Sequence, residues 1–213
     1  MDCFILHIET ATKVCSVALS NNGKLLFTKE SDDSEYVHGE FITMFIEDVL
    51  NKANIKSQQL SAVSVTSGPG SYTGLRIGVS TAKGLCYALN IPLISVDSLL
   101  NLAFLGQLKY KDSNVCAMID ARRMEVFSAI YSHDLKLIKP ISADIIDQNS
   151  YKEFEPFIVV GDGGSKLIDV WNERSIQIDS SVKSSAEGHV SIAFKKFQNN
   201  DFEDVAYFEP YYL

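Results

Sequence analysis

Apolar runs alternate with short polar turns at the start of the chain. Residues 3–9 and 14–20 are apolar segments of strand length, separated by the polar residues 10–13. Asn22 and Gly23 then give a strong hairpin-turn signal, and residues 24–29 continue as a third strand. We therefore expect the chain to open with an antiparallel meander of three strands.

Residues 37–53 have the pattern of a helix whose apolar positions spread over about two thirds of the circumference at 3.6 residues per turn. A surface helix needs an apolar stripe only somewhat wider than about 100°. We therefore expect this helix to be buried on more than one side. Its own sheet can cover one side, and a neighbouring helix or another chain would cover the other.

A strand at 61–66, a loop of mostly small residues and a helix ending at Leu89 follow. Small residues recur at every fourth position from the loop into the helix, at Gly70, Gly74, Gly78 and Ala82. Glycine in a helix costs about 1 kcal/mol relative to alanine, so Gly74, Gly78 and Gly84 need a compensating reason. Another backbone must approach this face closely, from the protein's own sheet or from a partner. Beside the over-apolar neighbouring helix, we favour a partner surface.

The rest of the chain repeats the opening pattern. A strand at 93–96 and a helix from Asp97 to Leu108 complete a first half that reads βββαβαβα. The polar joint 109–114 predicts a domain boundary, giving an N-terminal subdomain 1–109 and a smaller C-terminal subdomain 110–213. Beyond it we expect strands at 115–120, 125–131, 135–138 and 156–160, a glycine-rich turn at 161–166 leading into a short helix to 171, and a final helix at 185–197. The expected fold is α/β, with two similar βββαβα subdomains.

Composition narrows the function classes. The chain has 213 residues, of which 46% are hydrophobic and 22% charged, and a net charge of −8. This charge argues against nonspecific nucleic-acid binding by the chain as a whole. No apolar run reaches the roughly 18 to 20 residues of a membrane span, and the N-terminal segment lacks a signal-peptide pattern, which predicts a cytoplasmic protein without membrane contact. The four cysteines are scattered in apolar segments and predict reduced core residues rather than a metal site.

Phosphate-binding and nucleophile motifs are incomplete. The P-loop pattern fails around Lys83, and a dinucleotide pattern beginning at Gly68 has Thr73 in place of its third glycine. Backbone amides of residues 68–74 remain a candidate anion site, with a tight strand-to-helix turn as the plainer interpretation. No GxSxG motif occurs, and His38, at a helix start, is interpreted as a capping or interface residue.

Acidic residues end the first strand of each meander, Glu9 in HIETAT and Asp120 in MIDARR. Two such meanders resemble the actin-like ATPase superfamily, whose fold is also called ASKHA or ribonuclease H-like. The resemblance implies weak nucleotide-binding candidates at Glu9, Thr10, Thr12, Asp120 and Gly163. However, the glycine usual after each acid is absent, and Arg122 and Arg123 bring bulk and positive charge. ATP hydrolysis by this chain is therefore in doubt, although a stand-alone ATPase or kinase remains the alternative function.

Longer segments resemble one family. ILHIETATKVCSVAL, SVTSGPGSYTGLRIGVSTAKGL, MIDARRMEVFSAIY and VVGDGGS are similar, in this order, to the bacterial TsaB (YeaZ) family. The resemblance implies an accessory protein in the biosynthesis of tRNA threonylcarbamoyladenosine, an inactive paralogue of the catalytic subunit TsaD. It also implies that the helices at 37–53 and 74–89 bind TsaD, that the ATPase TsaE joins the complex, and that the same helices form a homodimer without TsaD. Contact with tRNA is expected only through these partners, and no cofactor is expected.

The resemblance also bears on individual residues. TsaD-type enzymes carry a metal-binding histidine pair after the strand that follows the glycine-rich helix, whereas residues 94–100 here contain no histidine. We therefore expect no catalytic residues and no metal site. Glu9 departs from the aspartate usual in the family. The residues expected at the partner surface are His38, Phe41, Ile42, Phe45, Gly70, Tyr72, Thr73, Gly74, Arg76, Gly78 and Ala82.

Overall fold

The structure is a computed structural model that describes residues 2–32 and 38–213, except for the side chains of His38 and Glu40. The chain forms two compact units, Met1–Asp97 with Ser185–Tyr212, and Ser98–Ser184. In chain order, the strands are β1 Phe4–Glu9, β2 Cys15–Asn21, β3 Lys24–Ser31, β4 Leu60–Gly68, β5 Leu93–Asp97, β6 Val115–Asp120, β7 Glu125–Tyr131, β8 Leu137–Ile145, β9 Ile158–Val160 and β10 Gln177–Asp179. The helices are α1 His38–Ala53, α2 Tyr72–Leu89, α3 Ser98–Lys109 and α4 His189–Gln198.

The first unit is built on a mixed five-stranded sheet with the order β3-β2-β1-β4-β5. Strands β1, β2 and β3 pair antiparallel, whereas β4 runs parallel to β1 and β5 runs parallel to β4. Asn22 and Gly23 both have positive φ, at 50° and 72°, as a tight turn between β2 and β3 requires. The predicted opening meander is therefore confirmed.

The second unit repeats this sheet. Its order is β10-β9-β6-β7-β8, in which β6, β7 and β8 form the antiparallel meander and β9 and β10 are the parallel additions. The two sheets thus have the same topology, which confirms the predicted repeat and the α/β fold class. Strand β10 was not predicted. The expected helix to residue 171 is instead a 3-10 helix at Asp162–Leu167 followed by turns, since a run with two adjacent glycines is a poor α-helix former.

The division between the units differs from the predicted boundary after residue 109. Helix α3 belongs to the second unit, because Leu99, Leu102 and Ala103 pack into a core with residues of β6 and β7. The last helix, α4, returns to the first unit, where Ala193 packs against Ile5 and neighbouring residues of β4 and β5. The polar segment at 109–114 is therefore a loop within one unit rather than a link between two.

Two further findings bear on function. The cysteines Cys3, Cys15, Cys86 and Cys116 are all free thiols, and burial raises the pKa of Cys15 and of Cys86 to about 11. Such thiols are poor nucleophiles at neutral pH, because the thiolate is the reactive form. Within residues 2–32 and 38–213, no helix is long and apolar enough to cross a membrane.

Candidate functional site

The ridge of small residues on α2 faces the sheet of its own unit. Gly74, Gly78 and Ala82 are all buried. A Cβ at Gly78 would overlap the Thr10 Oγ1 atom and would lie 3.5 Å from Ile8 Cγ2. The missing side chain therefore lets α2 approach the end of β1 closely. This corrects the expectation that Gly74, Gly78 and Ala82 form a partner surface.

Gly70 is also required by a contact within the chain. A Cβ at Gly70 would overlap the carbonyl oxygen of Ala11. The same oxygen accepts a hydrogen bond from the amide of Ser71 at 2.7 Å, and Ser71 Oγ caps α2 by accepting from the Gly74 amide at 3.2 Å. Two amides that a bound anion would use at this helix start are thus already paired. This favours the turn interpretation of the loop over the anion site.

Helix α1 buries one stripe rather than two. Its buried side chains follow helical spacing, at Ile42, Phe45, Ile46, Val49 and Leu50. The predicted interface residues Ile42 and Phe45 therefore belong to the core of the first unit, which corrects their placement at a partner surface. Phe41 is half-buried and stacks on Phe45, with ring centroids 5.3 Å apart. His38 begins the helix, but its side chain lies outside the described residues.

The exposed side of α2 carries the remaining predicted residues. We define the α2 outer face as Thr73, Arg76, Ser80, Gly84 and Tyr87, which are exposed and fall within a stripe about 80° wide on a helix of 3.6 residues per turn. Tyr72 lies at the edge of this face and is 57% exposed. The Arg76 guanidinium lies 4.8 Å from the centre of the Tyr72 ring.

Gly84 lies at one edge of the α2 outer face, one turn beyond Ser80. Apart from its chain neighbours and the nearby backbone of α2 itself, no described atom lies within 4 Å of the position that a Cβ would take, so no packing contact within the described chain requires glycine there. Tyr87, one turn further along, is 85% exposed. A bare backbone beside a protruding aromatic ring is a surface into which another helix can pack.

On α1, Met44 is 49% exposed, and a Cβ at Gly39 would meet Ile77 of α2 at 3.9 Å. The start of α1 therefore adjoins α2 at Ile77, and a partner that covers the α2 outer face can extend to the start of α1.

Glu9, the acid that ends β1, is buried and already paired. Its Oε1 accepts from the Ala11 amide at 2.7 Å, and its Oε2 lies 3.4 Å from His189 Nε2, which also lies 3.2 Å from Thr66 Oγ1. Burial by itself raises the pKa of Glu9, but the hydrogen bonds and charge of His189, with those of Ala11 and Thr66, hold this pKa below its usual value. The Glu9 carboxylate is thus ionised, and both of its oxygens already contact groups of the same chain.

The two predicted threonines beside Glu9 differ. Thr10 Oγ1 is buried against Gly78 with no hydrogen-bond partner among the described atoms. Thr12 Oγ1 accepts from the Val14 amide at 3.2 Å and stabilises the loop between β1 and β2.

Asp120, the corresponding acid of the second unit, is also paired. Its Oδ1 lies 2.5 Å from Lys166 Nζ, and Lys166 also donates to the Glu125 carbonyl oxygen at 2.9 Å. Gly163, the other predicted candidate, is buried, and a Cβ there would lie 3.0 Å from the backbone of Met118 and Ile119. A lysine ammonium therefore occupies the carboxylate at which a magnesium ion would be expected.

Comparison with known proteins adds to this geometry. Residues 33–209 match the family model "TsaD: tRNA N6-adenosine threonylcarbamoyltransferase". The chain is 31% identical over 98% of its length to the Escherichia coli "tRNA threonylcarbamoyladenosine biosynthesis protein TsaB", of which 94% is covered. The chain belongs to the TsaB (YeaZ) family. Because the TsaD model also matches, TsaB-family and TsaD-type chains share a common origin over most of this sequence.

Solved structures agree on the fold. YeaZ from Pseudomonas aeruginosa superposes with a TM-score of 0.87 at 24% identity, over 99% of this chain and 100% of that one. A polyphosphate/ATP-glucomannokinase from Arthrobacter gives a TM-score of 0.50 at 12% identity, over 93% of this chain and 99% of the kinase. At such identities the likeness concerns the fold alone, and it confirms the expected actin-like fold.

Sequence reasoning noted Gly84 as a costly helical glycine but not the direction in which it faces, and it missed His189 and Lys166. Gly84 carries no motif, and only its exposure separates it from the buried glycines of α2. His189 is distant in sequence from Glu9, and Lys166 from Asp120, so that only the fold brings each pair together. A weak signal existed for Gly84, because it lies off the fourfold spacing of Gly74, Gly78 and Ala82.

Proposed function

We propose that this TsaB-family chain is a noncatalytic subunit that binds a TsaD-type catalytic subunit and supports threonylcarbamoylation of the adenosine next to the anticodon in tRNA. The proposed contact is the α2 outer face together with the exposed side of α1. We place this complex in the cytoplasm, where tRNA is modified. A TsaE-type ATPase joins the complex, and the same face serves a homodimer when TsaD is absent.

The observation that carries the proposal is Gly84. A mid-helix glycine costs about 1 kcal/mol relative to alanine, and here no described atom repays that cost. Close packing of a partner against the bare helix would repay it, as the close approach of the Thr10 side chain does inside the chain at Gly78. The TsaB name of the relatives supports a role in the biosynthesis of tRNA threonylcarbamoyladenosine. The match to the TsaD model supports a partner of the same fold, which can bind this chain in the way that a second copy of the chain would.

The paired acids support a noncatalytic role. Glu9 is occupied by His189, and Asp120 by Lys166, so a magnesium–nucleotide complex would have to break an internal contact at either carboxylate. The alternative of a stand-alone ATPase or kinase requires these acids to be free. Calorimetry with ATP and magnesium distinguishes the two, since micromolar binding with turnover lost in Asp120→Ala would favour the alternative.

The test of the interface is Gly84→Leu. We expect this variant to lose at least about tenfold in affinity for the TsaD-type subunit of the same organism, because a leucine side chain separates two closely packed backbones. Its melting temperature should not fall, because the new side chain projects into open space from a helix in which leucine is the better former.

Ser191→Leu in α4 supplies the matched control, since it adds the same side chain at an exposed helical position of the same unit, away from α1 and α2. This variant should keep full affinity. Modification of tRNA, assayed with TsaD and TsaE in the presence of each variant, should follow the same order. Full affinity and activity of Gly84→Leu would contradict the proposed interface.

A further inference from the structure

The loop between β6 and β7, residues 121–124, holds two arginines in an unfavourable backbone conformation. Arg122 has a φ of 73° and Arg123 a φ of 46°. Non-glycine residues rarely adopt this left-handed region, and asparagine and glycine tolerate it best. The chain itself places asparagine at other such positions, including Asn22, Asn54 and Asn90. The backbone of this loop therefore does not account for arginine, and strained residues of this kind concentrate at functional sites.

Both arginine side chains are exposed and free. Among residues 2–32 and 38–213, neither guanidinium group makes a hydrogen bond or an ion pair. This distinguishes them from Lys166 nearby, whose ammonium group is held by Asp120. A chain with a net charge of −8 thus presents two adjacent positive charges at one loop tip of the second unit.

The surface beside the loop is apolar and concave. An open pocket of about 490 Å³ is lined by the loop residues, by Glu125 and by Ile145. Ile145 is 78% exposed and Met124 is 40% exposed. Glu125 and Ile145 face each other across the β7 and β8 strands, so their side chains lie on the same face of the sheet.

We propose that this pocket binds one unpaired nucleotide of an RNA strand. The guanidinium groups of Arg122 and Arg123 contact backbone phosphates, the base packs on Met124 and Ile145, and the Glu125 carboxylate accepts a hydrogen bond from an exocyclic amino group. Single-stranded RNA is recognised by such a combination of phosphate contacts, stacking on flat or apolar side chains, and hydrogen bonds to base edges.

The carboxylate decides between RNA and an acidic protein segment. The Glu125 carboxylate needs a hydrogen-bond donor, which the amino group of a base supplies and which the acidic side chains of a peptide, being acceptors only, do not. A pocket of this volume is also suited to a small ring system rather than to a single carboxylate side chain. This contact goes beyond the proposed function, which requires no direct contact between this chain and tRNA.

The test replaces both arginines by the residues that the backbone prefers, Arg122→Asn with Arg123→Gly. Binding of a fluorescein-labelled single-stranded RNA of about ten nucleotides is followed by anisotropy on the full chain, with salt varied between about 50 and 200 mM. We expect affinity to fall about tenfold, and the slope of log affinity against log salt to shrink by about 1.4, which corresponds to two lost phosphate contacts. The melting temperature should rise by about 2–4 °C as the strain is relieved.

The matched control is Lys24→Asn with Lys111→Asn, which removes two exposed positive charges elsewhere and should change affinity less than about twofold. The proposal is overturned if the arginine variant binds RNA as the unchanged chain does, or if the unchanged chain binds no RNA at low salt. It is also overturned if AMP alone binds as tightly as the RNA, or if the variant loses affinity for the TsaD-type subunit rather than for RNA. Gly84→Leu, tested in parallel, should keep RNA affinity, so that failure of the partner interface is distinguished from failure of this site.

Discussion

His7 lies at the centre of a buried polar network in the first unit. Its Nδ1 lies 2.7 Å from Ser64 Oγ and its Nε2 lies 2.8 Å from Ser20 Oγ, while Ser64 Oγ lies 3.3 Å from His189 Nδ1. Through His189 the network continues to Glu9. Burial, with a smaller repulsion from His189, holds the pKa of His7 well below its usual value. The network thus depends on a neutral imidazole at position 7.

This dependence predicts a loss of stability in mild acid. Below about pH 6.5 the unfolded chain binds a proton at His7 that the folded chain excludes, so the free energy of unfolding decreases as the pH falls. The slope from this one group approaches about 1.4 kcal/mol per pH unit. Glu9 adds a loss only at lower pH, because its pKa is already below that of an ordinary glutamate.

Urea unfolding between pH 7 and pH 5 measures this slope. His7→Gln should flatten it by about 1 kcal/mol per pH unit, since glutamine does not titrate. The control is His133→Gln, at an exposed position in the turn after β7, which should leave the slope nearly unchanged. An equal slope in the His7 variant and the unchanged chain would contradict the interpretation.

Helix α2 illustrates how one element serves two surfaces. Gly74, Gly78 and Ala82 pack inward, while Gly84 and its neighbours on the α2 outer face point to solvent. Both sets contain glycine, so propensity alone does not separate them. What separates them is the position of Thr10, which meets a Cβ at Gly78, and the open space at Gly84.

Substituting alanine for Gly84 and for Gly78 should change the free energy of unfolding in opposite directions. Gly84→Ala should stabilise the protein by about 0.5–1 kcal/mol, because it removes the entropy cost of glycine without any contact. Gly78→Ala should destabilise it by about 1–3 kcal/mol, because the added methyl group overlaps Thr10 and forces α2 away from β1. Denaturant unfolding of both variants measures the difference, and stabilisation by Gly78→Ala would contradict the inward packing of the ridge.

At the scale of the whole molecule, the chain divides at Asp97 rather than after residue 109. Helix α3 covers one face of the second sheet, and Leu99 and Leu102 on it are fully buried. Burying two leucines contributes about 3–6 kcal/mol. That is comparable with the entire stability of a small domain, about 5–15 kcal/mol.

Two fragments test this division. Residues 98–184 should unfold cooperatively, because they retain α3 on the sheet, whereas residues 110–213 lack it and should not. Trp171, the only tryptophan of the chain, is 2% exposed in the core of this unit and reports unfolding by its fluorescence. A cooperative transition in fragment 110–213 but not in 98–184 would restore the boundary after residue 109.

The sequence alone determined most strands and helices, because alternation, helical periodicity and turn residues such as Asn22 and Gly23 act locally. It also determined the repeat and the family resemblance, since the segments that carry them are continuous. The direction that a glycine faces depends on which element lies opposite, so the sequence placed Gly78 at a partner surface and did not distinguish Gly84 from the buried glycines of α2. The return of α4 to the first sheet, and the pairing of Glu9 with His189 and of Asp120 with Lys166, join residues far apart in the chain. Only the tertiary structure decided these features, because burial and charge pairing depend on distance in space rather than on distance along the chain.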